Sequence, residues 1–273
     1  MPPDALSGIH PGSPWPLGSS ITKRGVNFVL AAPAANRVEL VLYANGSERS
    51  PERVIELDAR RHRSGDYWHV GVEGRGAGGC CGYRVFGPLA PGGHGFRPSK
   101  VLVDPAARAI SGWDVYDRVL ATGPSPNAHC CLKSVVCERD LFDFQAHPRP
   151  RNSWQRTVIY ELHVGGFTRR EDSGVALDQR GTYLGLIEKL PYLKDLGITA
   201  IELLPVFCFD PADAPPGRDN VWGYSPLNWF TPHHGYCSSS DPLQARQEMR
   251  HLVAACHDAG IEVLLDVVYN HTI

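Results

Sequence analysis

Residues 260–272 read GIEVLLDVVYNHT, and the assignment of this stretch decides the fold. A short, nearly continuous aliphatic run that starts after a glycine and ends on polar residues predicts a strand over 261–271. Buried on both sides, such a strand belongs to a parallel sheet. Strand alternation puts Leu264, Asp266 and Val268 on one face. A carboxylate among that many aliphatic groups needs a cation, several donors, or a place at the strand end where solvent reaches it.

Working backwards, a helix precedes this strand. Asp241 is its predicted cap, Pro242 suits the first helical position, and Gln244 completes a capping-box-like pairing. Met249, Leu252, Val253 and Cys256 follow the i, i+3, i+4, i+7 rule, and Gly260 ends the helix. Before it lie ITAIELLPV (198–206), a strand, and TYLGLIEKLPYLKDLG (182–197), helical in spacing at 183, 186, 190, 193 and 196 and broken or kinked at Pro191. TVIYELHV (157–164) is a further strand. Strand, helix, strand, helix, strand implies parallel strands covered by helices. No GxGxxG or Walker sequence follows the first strand, which disfavours a nucleotide fold. The polar, aromatic segments all follow strands, as in a (β/α)8 barrel, but only three strands are present, and a closed barrel takes about 250 residues.

Up to about residue 145 the pattern is different. GVNFVL places Val26, Phe28 and Leu30 on one face, and RVELVLY does the same for Val38, Leu40 and Leu42. YWHVGV and CGYRVF continue the alternation between turn-rich clusters, which predicts an antiparallel β-sandwich. HPRPRNSWQ (147–155) reads as a linker. The expected organisation is therefore multidomain, β plus α/β: a sandwich over 1–147, and over 148–273 the first three strands of an incomplete (β/α)8 barrel.

The 273 residues carry a net charge of −2 with basic residues scattered, so neither nucleic acid nor a membrane surface is an expected partner. No apolar run approaches the roughly 20 residues that span a bilayer, and the head of the chain has no export-signal pattern. The eight cysteines include two adjacent pairs and no CxxC, and they read as reduced thiols. The expected compartment is the cytoplasm, or a plastid in a photosynthetic source.

The loop over 205–240 holds Trp222, Tyr224, Trp229, Phe230 and Tyr236. Sugar C–H faces stack on such rings, with Asn220 and Asn228 as polar neighbours, while a small core under the loop is the alternative. His233 and His234 are adjacent and do not suit one metal ion, so no metal site is expected. His271 is either a donor to a sugar hydroxyl or a surface residue, and Asn270 either a functional group or a turn former. Glu161, Glu202 and Asp266 read as packing or supporting carboxylates, because no acid and nucleophile pair is evident among them.

Together VIYELHVGGFT, RGTYLGLIEKLPYLKDLGITAIELLPVFCFD, NVWGYSPLNWFTPHHGY and GIEVLLDVVYNHT resemble the start of the catalytic barrel of the α-amylase family of glycoside hydrolases, in its isoamylase and glycogen-debranching branch. DVVYNH resembles that family's first signature region. GVNFVLAAPAANRVELVLY and YRVFGPLAPGGHGFRPSKVLVDPAARAISG resemble the family-48 carbohydrate-binding domain. The resemblance implies retaining cleavage of α-1,6 branches in an α-glucan (glycogen, amylopectin or limit dextrin) without a cofactor. It implies that Tyr224 stacks on the sugar at the −1 subsite, His271 bonds that sugar's primary hydroxyl, and Asp266 organises the site floor, with Asn270 and Trp222 supporting. Gly165 stands where many relatives carry an arginine. The family's nucleophile, acid/base and stabilising carboxylates belong to the fourth, fifth and seventh strands. The chain is accordingly expected to be part of a longer protein, inactive alone and prone to self-association through exposed barrel edges. The competing expectations are a non-catalytic glucan-binding protein, using Trp15, Trp68, Tyr83 or Trp113, and a branching or maltooligosyltrehalose-type relative.

Overall fold

Two antiparallel sheets build the first unit in the computed structural model, which describes residues 8–88, 95–138 and 142–273. Residues 89–94, inside the expected carbohydrate-binding motif, lie outside the described residues. One sheet has the order β1 (Ile9–His10), β7 (Tyr67–Glu73), β3 (Gly25–Ala31), β2 (Gly18–Thr22), with β6 (Arg63–Ser64) on β7. The other runs β5 (Arg53–Glu56), β4 (Arg37–Tyr43), β8 (Cys80–Phe86), β10 (Lys133–Val135), β9 (Ile110–Ser111). Val26, Phe28 and Leu30 meet Val38, Leu40 and Leu42 in one core with Trp68, Val70 and Tyr83, so the period-two pattern packs as expected for a sandwich. A short helix, α1 (Arg118–Thr122), starts on the Asp117 carboxylate, which accepts the Leu120 N–H at 3.0 Å.

Burial contradicts two candidate sugar platforms. Trp68 is 1% and Tyr83 2% exposed. Both rings fill the sandwich core, because each faces inward from its strand. No disulfide joins any of the eight cysteines, and all but the half-buried Cys237 are buried.

The second unit begins at Asp140, ahead of the 147/148 boundary expected from composition. The expected linker is tied down by its polar side chains. His147 Nδ1 lies 2.8 Å from the Asp258 carboxylate, Arg149 bonds Glu262 at 3.1 Å, and the Asn152 amide donates to the carbonyls of Thr199 and Gly260.

Three parallel strands, β11 (Ile159–Leu162), β12 (Ala200–Leu203) and β15 (Glu262–Leu265), form its sheet in that order. Helices α3 (Tyr183–Glu188), α4 (Leu190–Asp195) and α5 (Gln244–Asp258) supply Leu186, Leu193, Leu252 and Cys256 to a core with Leu162, Ile201 and Leu203. α3 and α4 are separate at Lys189, with Pro191 in the first turn of α4. Between β12 and α5, the expected loop contains an antiparallel ribbon, β13 (Phe207–Phe209) with β14 (Pro226–Pro232).

Two boundaries differ from expectation. α5 starts at Gln244 because the Asp241 carboxylate takes the Leu243 N–H at 2.9 Å and its carbonyl takes the Gln244 N–H at 3.0 Å, closing a turn before the helix. β15 stops at Leu265 because its partner β12 stops at Leu203, whose carbonyl receives the Asp266 N–H at 3.0 Å. α5 ends in a double cap. Gly260 sits at φ +79°, its N–H bonds the His257 carbonyl, and the Ile261 N–H bonds the Cys256 carbonyl.

Candidate functional site

One face of the parallel sheet lies under the helices, and the other carries acids. Glu161 pairs in register with Glu202, and Glu202 with Leu264, so by alternation Glu161, Glu202, Leu264 and Asp266 share the uncovered face. Glu161 is exposed; Glu202 and Asp266 are half-buried. Asp266 stands at the carboxyl end of β15, where solvent reaches it.

Over this floor the ribbon segment delivers Tyr224. Its hydroxyl donates to Asp266 Oδ2 at 2.5 Å. That bond, partial burial and the negative charge of Asp266, Glu161 and Glu202 push the phenol up to about 12. Tyr224 therefore stays a neutral donor at any physiological pH, with its ring 40% exposed and available to a ligand. Gly223 makes the approach feasible. It sits at φ +74°, and a Cβ there would lie 2.7 Å from the Phe209 ring.

The same segment is latched by His163, a residue the sequence reading did not single out. His163 Nδ1 accepts the Gly166 N–H at 2.8 Å, which leaves the proton on Nε2. Nε2 then donates to the Val221 carbonyl at 2.7 Å and lies 3.0 Å from the Tyr236 hydroxyl. Trp222, 59% exposed, meets the His163 ring edge-on at 6.2 Å. The end of β11 thus fixes the residues on either side of Gly223. The available signal was a strand-terminal histidine followed by two glycines.

The structure brings together Tyr224 and Asp266 and anchors Trp222 beside them. His271 and Asn270 are exposed beyond the end of β15, and His271 is not hydrogen-bonded to either Tyr224 or Asp266. The two asparagines expected to face sugar are used within the loop. Asn220 Oδ1 accepts the Gly223 N–H at 3.1 Å, and buried Asn228 accepts the Phe230 N–H at 2.8 Å. His233 is buried and stacked 3.7 Å from Phe209, while burial lowers His234 to about 4. Tyr236 is buried as well, so the aromatic segment divides into a small core and an exposed set, Trp222, Tyr224 and Phe230. Among the described residues no group of three or more His, Cys, Asp or Glu side chains is arranged to hold a metal ion.

Residues 155–273 match the family model of the alpha amylase catalytic domain, and residues 16–107 match carbohydrate-binding module 48, the isoamylase N-terminal domain. The chain is 41% identical over 271 residues to a glycogen debranching enzyme of Dickeya chrysanthemi, covering 96% of this chain and 39% of that protein. It is 41% identical over 276 residues to a chloroplastic isoamylase 3 of Oryza sativa subsp. japonica, covering 96% of this chain and 35% of that one. Among solved structures, the catalytic module of the glycogen-degrading pneumococcal virulence factor SpuA superposes with a TM-score of 0.75 at 25% identity, over 96% of this chain and 38% of that chain. Apo pullulanase from Paenibacillus barengoltzii gives 0.71 at 25% identity, over 94% and 38%. The chain spans about two fifths of the length of the curated relatives it matches.

Proposed function

Because the chain belongs to the α-amylase family, in its isoamylase and glycogen-debranching branch, we propose that it forms the carbohydrate-binding module and leading catalytic segment of an α-glucan debranching hydrolase. The reaction is retaining hydrolysis of α-1,6-glucosidic bonds in glycogen, amylopectin or limit dextrin. β11, β12 and β15 are the first three strands of a (β/α)8 barrel whose remaining strands bring the nucleophile and the acid/base, two carboxyl groups about 5 Å apart.

The observation that carries this reading is the Tyr224–Asp266 hydrogen bond at the carboxyl end of the parallel strands, where barrel chemistry collects. The bond orients the Tyr224 ring so that a pyranose stacks on its exposed face. Asp266, flanked by Glu161 and Glu202, gives the cleft floor a negative potential suited to the positive charge that develops on an oxocarbenium-like sugar. His271 donates to the sugar's primary hydroxyl, with Asn270 and Trp222 in support.

The test is product release from glycogen. The 273-residue chain alone releases no linear chains. The chain continued through the rest of its catalytic domain releases them, and Tyr224→Ala lowers kcat/KM there by roughly 10- to 100-fold, about 1.4–2.8 kcal/mol of transition-state stabilisation. Debranching by the short chain, formation of new branches by the long one, or full activity of the Tyr224→Ala enzyme overturns the reading.

Two further properties follow from it. β11 and β15 are the sheet's edges, and Ile159, Leu265 and Val267 stay exposed there, so the 273-residue chain self-associates. A monodisperse monomer at high concentration in light scattering refutes this. The thiols fit a reducing compartment, the cytoplasm or a plastid.

A further inference from the structure

Ahead of the sandwich, the segment from Ile9 to Trp15 leaves its own short strand pairing and crosses the outer face of the first sheet. Val26, Phe28, Val70 and Val72 point into the core, which leaves Asn27, His69 and Gly71 outward on the same strands. The crossing depends on Gly71 and Gly12. A Cβ on Gly71 would fall 1.9 Å from the His10 ring, and one on Gly12 would fall 2.3 Å from Asn27 Oδ1.

Two buried side chains pin the segment. Asn27, 3% exposed, accepts the Ser13 N–H at 2.8 Å and donates to the Ser13 carbonyl at 3.0 Å. His69, 5% exposed, holds the Pro11 carbonyl at 2.7 Å from its Nδ1. The Ser13 hydroxyl then donates to the Trp15 carbonyl at 3.0 Å. This anchoring delivers an indole that is 69% exposed. Beside it runs a groove of about 510 Å³, within the range of small-ligand sites, lined by Trp15, Ser13, Ser20, Thr22, Lys23 and Arg24 among others, with no Asp or Glu in its wall.

We propose that this groove is a second α-glucan binding site, in which a pyranose C–H face stacks on Trp15 and its hydroxyls bond Ser20, Thr22 and the donors of Lys23 and Arg24. The inference rests on the α-glucan reading above. A flat ring on a rigid mount binds at little entropic cost, whereas a floppy exposed tryptophan would have to be ordered first. Hydroxyl groups beside an aromatic face match the amphipathic surface of a sugar. Two cations at a hairpin tip, in a chain of net charge −2, do not make the continuous basic track that a nucleic acid requires.

Affinity electrophoresis of the 273-residue chain through native gels with and without glycogen tests the site. The wild type is retarded, Trp15→Ala weakens the apparent affinity roughly tenfold, about 1.4 kcal/mol, and Trp15→Tyr restores most of it. Trp154→Ala, 85% exposed in the other unit, leaves mobility unchanged. Equal near-ultraviolet circular dichroism and melting temperature show that Trp15→Ala is folded. Retardation unaffected by Trp15→Ala, no retardation of the wild type, or retention abolished by salt overturns the proposal. None of these outcomes bears on branch hydrolysis by the longer chain, so the two readings fail independently.

Discussion

Tyr224 and Asp266 lie 42 positions apart in sequence and share one hydrogen bond. The aspartate holds its partner's proton in place, and the titration of Tyr224 reports the arrangement. Replacing Asp266 with Asn removes the charge behind most of the upward shift, so Tyr224 titrates from about 12 back toward 10. Carbon-13 NMR of labelled tyrosine measures it, and a Tyr224 signal that does not move would show that Asp266 is not the cause. This pair was legible in the sequence because each residue sits at a recognisable place, one at a strand end and one in an aromatic loop. His163 was not. Its role depends on Val221, Gly166 and Tyr236 converging from three separate segments, which no local spacing reveals.

Elements were legible where one physical rule acted alone. Alternation found β3 and β4, and helical spacing found α3 and α5. Of the five apolar positions in the broken helix, Tyr183, Leu186, Leu190 and Leu193 are buried, while Leu196 is 53% exposed. The ribbon β13–β14 was missed because its register shifts at Cys208, so no clean alternation survives in Phe207–Phe209. Turn glycines divide by what surrounds them. At Gly260 a Cβ meets open space, so Gly260→Ala costs only left-handed backbone strain, about 1–2 kcal/mol. At Gly223 the same strain adds to a contact with Phe209, and Gly223→Ala destabilises the second unit by more and disturbs the Phe209–His233 stack. Chemical denaturation of both variants gives the order, and equal losses would contradict it.

On the scale of the molecule, the two units respond to solution conditions through different buried groups. In the second unit, burial holds His234 down to about 4 and His233 well below its ordinary value of 6.5. As pH falls below 6.5, the unfolded chain binds protons that the folded unit refuses, so stability present above 6.5 is lost on the way to 4. Each such group contributes a slope of up to about 1.4 kcal/mol per pH unit. Calorimetry from pH 7 to 4 should show the second unit's transition moving to lower temperature, less steeply in His234→Gln. A transition that is flat over this range would refute the account.

The burial of the cysteines has a practical consequence. Low polarity raises Cys80 to about 11 and Cys256 to about 12, and even half-buried Cys237 reaches about 12. A colorimetric disulfide reagent needs thiolate, so the native protein should stay almost colourless, while denaturant releases all eight equivalents. Chromophore release then serves as a label-free clock of global opening. A fast initial burst would reveal a breach in the native packing.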